Sequence, residues 1–134
     1  LPLLRSLGWM TTLVERRERW QVEARHADAV VEAMPEAALS SLDAQGFDAA
    51  LVMNHNFEMD REALFALGNT SIPFIGLLGP MRRKDDLFRV LPVAARDALQ
   101  PRLRSPVGLK LGGQGPEAIA LSIAAQLQAY RFPQ

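Results

Sequence analysis

The sequence predicts an α/β fold: a mostly parallel sheet with helices on both faces. Three observations predict it. Two short runs, Phe47–Met53 and Ile72–Leu78, are almost continuously apolar, as strands buried on both sides of a parallel sheet are. Polar residues and a helical segment follow each of them, the alternation that parallel crossovers require. Near the end, residues 105–131 run a glycine-rich loop into a proline-started amphipathic helix.

Taken in order, Pro2–Leu7 reads as a helix tail stopped by Gly8. Trp9–Val14 reads as a strand of apolar and β-branched residues, closed by the charged run Glu15–Arg19. Residues 20–35 are ambiguous: Trp20, Val22, Val30 and Val31 offer apolar surface, and Pro35 breaks the run. Glu36–Ala44 reads as a short helix stopped near Gly46. Asn54–Asp60 reads as a polar loop after the first buried strand, followed by the helix Arg61–Leu67 and the turn Gly68–Ser71. After the second buried strand, Gly79 and Pro80 turn the chain into a helix over Met81–Leu91. Pro92–Leu99 is a further helix, and Leu103–Leu111 holds a short strand. The last helix is Pro116–Arg131. Gly115 suits its N-cap, and a proline at the first helical position gives up an N–H that has no partner there. Ile119, Ile123 and Leu127 predict a buried stripe on it, with the polar pair Ser122 and Gln126 at the stripe's boundary. The whole pattern is that of one Rossmann-like, doubly wound domain over residues 1–134, which binds ligands at the carboxyl ends of its strands.

Composition narrows the function. The chain has 134 residues, 22% of them charged, with a formal net charge of zero. Such a balance gives no bulk attraction to nucleic acid or to an anionic membrane. No apolar run approaches the roughly 20 residues of a membrane span. No signal-peptide pattern is present, so a cytoplasmic setting is expected. The absence of cysteine excludes disulfides, thiolate metal sites and thiol catalysis. Two histidines, His26 and His55, leave little for a metal site, and none is expected.

Four polar clusters fall at strand ends and predict a shared ligand edge. Glu15, with Arg17 beside it, ends its strand where dinucleotide-binding folds keep the acid that bonds the ribose hydroxyls. That acid usually lies about 20 residues after the phosphate loop begins. Counting back from Glu15 passes Leu1, and no G-x-G-x-x-G is present. The expectation is that the first strand and its loop lie upstream, in a longer chain; the alternative is a solvated charge beside Arg16, Arg17 and Arg19. His55 lies between Asn54 and Asn56, either as a hydrogen-bonded loop residue or as a donor to a phosphate or ring heteroatom. Gly79-Pro80-Met81-Arg82-Arg83-Lys84 opens a helix with three cations, which oppose the helix dipole by about 0.3–1 kcal/mol each. A bound anion would remove that conflict; a solvated basic turn is the alternative. Gly108, Gly112, Gly113 and Gly115 offer backbone N–H groups before a positive helix end, as an anion cradle or as a tight turn that delivers the helix.

Together, LVERRERW, VMNHNFEMD, FIGLLGPMRR and SPVGLKLGGQGPEAIALSIAAQL, in that order and spacing, resemble the C-terminal Rossmann domain of the xanthine dehydrogenase accessory protein family (XdhC/CoxI). The resemblance covers nearly the whole chain. It implies a non-enzymatic, chaperone-like maturation factor that binds molybdenum cofactor (molybdopterin), helps sulfurate it and delivers it to a molybdenum hydroxylase such as xanthine or carbon monoxide dehydrogenase. It also implies a homodimer, contact with the target enzyme and work alongside a cysteine desulfurase. The cofactor-binding residues would be Glu15, Arg17, His55, Gly79, Arg82, Arg83, Gly108 and Gly112, with no catalytic residue. The chain departs from the family pattern where Asp is usual at Glu15, Thr at Asn54, Asp at Asn56, Arg at Met81, Asp at Lys110 and Glu at Gln126. The rival readings are an NAD(P)-dependent oxidoreductase and a domain that serves only in assembly. Against the oxidoreductase, the sequence shows no Tyr–Lys, Cys or His–Asp catalytic set.

Overall fold

The computed structural model describes residues 2–14, 29–31, 46–53 and 56–133, which divide between two compact units. In chain order the elements are α1 (Pro2–Ser6), β1 (Thr12–Val14), β2 (Ala29–Val31), β3 (Ala49–Val52), α2 (Phe57–Gly68), β4 (Phe74–Leu77), α3 (Met81–Val90), α4 (Val93–Leu99), β5 (Leu103–Arg104) and α5 (Pro116–Arg131). The expected helix over Glu36–Ala44 lies outside the described residues.

Residues 35–107 form one unit, built around the sheet β3-β4-β5. The two apolar runs become neighbouring parallel strands, with Ala49 opposite Phe74 and Val52 opposite Leu77. β5 joins β4 in parallel on its other side, Ile75 opposite Leu103. All four residues of β4 are buried, which its unbroken apolar sequence requires. Gly76 serves close packing here: a Cβ at that position would collide with the side chains of Val107 and Leu51. Val52, Leu64, Leu67, Ile75, Leu77 and Leu87 lie in one continuous apolar core with Leu91 and Leu99.

α2 begins four residues before the sequence predicts. Asn56 is its N-cap, and the Asn56 side chain accepts the N–H of Met59 at 3.0 Å. The second half of the expected loop therefore becomes the first helical turn, where Glu58 and Asp60 complement the positive helix end. Arg102 closes the far end of the unit. Its Nη1 donates to the carbonyls of Thr70 (2.8 Å) and Ile72 (2.9 Å), and its Nε to that of Ala98 (3.0 Å).

The other unit comprises residues 1–34 and 108–134. In it β1 pairs in parallel with β2, Thr12 opposite Ala29 and Val14 opposite Val31. β2 is a strand within the ambiguous stretch. β1 is shorter than the expected Trp9–Val14 because Trp9 N–H donates back to Leu4 O at 3.0 Å, completing the end of α1. Gly8 makes that turn at a φ of 89°. α5 has the predicted bounds, but its buried face is Ile123, Ala124 and Leu127. Ile119 is 45% exposed. Positions four apart drift by about 40° per step on a 3.6-residue helix, so an i, i+4, i+8 stripe does not stay on one narrow face. Arg131 lies over the Trp9 ring, 5.1 Å from its centroid. Among the described residues, no helix is long and apolar enough to cross a membrane.

Candidate functional site

The turn that follows β4 concentrates charge. Gly79 has a φ of 120°, a conformation that glycine adopts without strain, and a Cβ there would come within 3.3 Å of Arg83 Cβ and Cγ. Pro80 is the N-cap of α3 and offers no side-chain bond, while its carbonyl accepts Arg83 N–H at 2.8 Å. The first turn of α3 contains no acid. It presents Met81 and Arg82 exposed to solvent.

The three cations have separate fates. Arg83 is half-buried; its Nη2 donates to Asp60 Oδ2 at 2.9 Å, and its guanidinium lies 5.4 Å from the centroid of Phe57. Asp60 is 2% exposed. A carboxylate so buried needs a cation or strong donors, and Arg83 answers that need across 23 positions of sequence. Lys84 Nζ lies 5.2 Å from the centroid of Phe88. Arg82 is the exposed cation at this helix entry. The carboxyl end of β4 thus carries a glycine turn, an acid-free helix N-terminus and an arginine turned to solvent, which together favour an anion.

The glycine-rich loop belongs to the other unit. Gly108 N–H donates to Gln126 Oε1 at 2.8 Å, and Leu109 N–H donates to Ser122 O at 3.1 Å. The base of the loop is thereby pinned to the middle of α5. Beyond it, Gly112, Gly113 and Gly115 all have positive φ, and residues 109–117 are exposed. A Cβ on Gly112 would meet nothing within 4 Å. Its glycine character therefore serves backbone conformation, not close packing.

Both features lie on sequence segments shared with known proteins. The family model of the XdhC Rossmann domain matches residues 1–127. The chain belongs to the XdhC family. It is 35% identical over 101 residues, 75% of its length, to a probable xanthine dehydrogenase subunit of Bacillus subtilis (strain 168). It is also 34% identical over 93 residues, 68% of its length, to the uncharacterized protein YqeB of Escherichia coli (strain K12). The chain spans 29% and 17% of those two proteins. Among solved structures, a xanthine dehydrogenase from Bacillus halodurans matches with a TM-score of 0.81 and 31% identity, over 96% of this chain and 39% of that one. The α/β Rossmann assignment thus stands on the parallel sheet, on the family and on a solved relative.

Of the residues expected to bind cofactor, Glu15, Arg17 and His55 lie outside the described residues. Gly79, Arg82 and Arg83 come together at the turn into α3, whereas Gly108 and Gly112 sit at the base and the exposed part of the loop. The Gly108 amide, which the sequence suggests as a donor for an anion, is bonded to Gln126. Sequence reasoning gives Asp60 no role of its own, and marks Gln126 only as a boundary residue and as a departure from the family pattern. Asp60 reads as the end of a polar loop; the signal for it is its place four residues after an Asn N-cap, in a first helical turn. Gln126 reads as a boundary residue; the signal is a polar side chain directly before the buried Leu127 and four residues after Ser122.

Proposed function

We propose that this XdhC-type domain serves the maturation of a xanthine dehydrogenase-type molybdenum hydroxylase by binding molybdenum cofactor as cargo and presenting it to the target enzyme. The observation that carries this reading is the entry of α3, where Gly79, the acid-free first turn and the exposed Arg82 offer an anchor to a phosphate-bearing pterin. The family and its xanthine dehydrogenase-named relatives support the same class of target. In this reading the backbone N–H groups of the first turn and the Arg82 guanidinium hold the phosphate. Arg83, engaged by Asp60, keeps the turn in place. Carriage of a cofactor asks for anchoring and release, not for a residue that moves protons during turnover. A second copy of the chain and a cysteine desulfurase are further expected partners.

The test uses the protein with its full flanking sequence, molybdopterin binding by calorimetry, and reconstitution of a molybdenum hydroxylase. The wild type should bind molybdopterin without oxidising NAD(P)H. Arg82→Ala should weaken binding by about tenfold or more, the loss of one charge-assisted hydrogen bond. The difference should be greater at low ionic strength, where screening is weak. NAD(P)H turnover with no molybdopterin binding would replace this reading with an oxidoreductase.

A further inference from the structure

We draw no further inference here: the strongest candidate, the Ser105 hydroxyl just beyond the carboxyl end of β5, buried and without a hydrogen-bond partner among the described residues, carries nothing, because its oxygen is closed to solvent and nothing in the structure shows what would reach it.

Discussion

Removing either member of the Asp60–Arg83 pair should destabilise the protein, and unequally. The carboxylate side chain is 3% exposed and the guanidinium side chain 27% exposed. Breaking a fully buried pair typically costs about 3–5 kcal/mol, whereas a surface pair is worth about 0.2–1 kcal/mol. This pair falls between those limits, with the burial concentrated on Asp60. Asp60→Ala leaves an arginine that can swing its charge toward water, so its cost should be about 2 kcal/mol. Arg83→Met keeps much of the apolar stem beside Phe57 but removes the cation from a buried carboxylate, and should cost about 3 kcal/mol.

The double variant removes both charges of the pair. It should be about as unstable as Arg83→Met alone, which corresponds to a coupling energy of about 2 kcal/mol. Urea unfolding followed by circular dichroism measures all four proteins, and the comparison holds if the m-value is shared. Singles that add to within about 0.5 kcal/mol would refute the coupling. A larger cost for Asp60→Ala than for Arg83→Met would refute the claim that the carboxylate is the desolvated partner.

Three further outcomes follow from close contacts. Gly76→Ala should lose about 1–3 kcal/mol, because the new methyl enters space held by Val107 and Leu51; calorimetric Tm measures it. Gly79→Ala should lose about 1–2 kcal/mol through its positive φ alone, read from thermal unfolding. Arg102→Met should cost about 2–3 kcal/mol by leaving the carbonyls of Thr70, Ile72 and Ala98 without their donor, and should speed hydrogen exchange across residues 70–75.

The parallel pairing of β3 with β4 is legible in the sequence because both runs are apolar throughout; β4 is buried along its whole length, whereas Ala49, Ala50 and Leu51 of β3 are half-buried. The start of α5 is legible for a local reason, since Gly115-Pro116 specifies a helix entry without help from distant residues. Boundaries set by a single side-chain hydrogen bond are less so. α2 starts at Phe57 because Asn56 turns its oxygen onto Met59 N–H, and a run of Asn, Glu and Asp reads equally well as a loop. β2 escapes sequence reading because three residues, Ala29–Val31, carry too little periodicity to distinguish a strand from any short apolar run.

Arg82 and Arg83 show where local reading of the site ends. In sequence they are adjacent, equivalent cations at a helix entry, and both suit an anion. On α3 they point about 100° apart. One of those directions meets Asp60 and Phe57 of α2, and the other meets water. The charge of Arg83 is therefore engaged within the fold, while that of Arg82 faces outward. The same division governs the glycines of the loop: Gly108 gives its amide to Gln126, and Gly112 stays in the open. In each pair one residue is engaged within the fold and its counterpart faces outward. Variants of the two kinds should accordingly separate by assay. Arg82→Ala should change affinity with stability intact, whereas Arg83→Met should lower stability first and affinity only through the displaced turn.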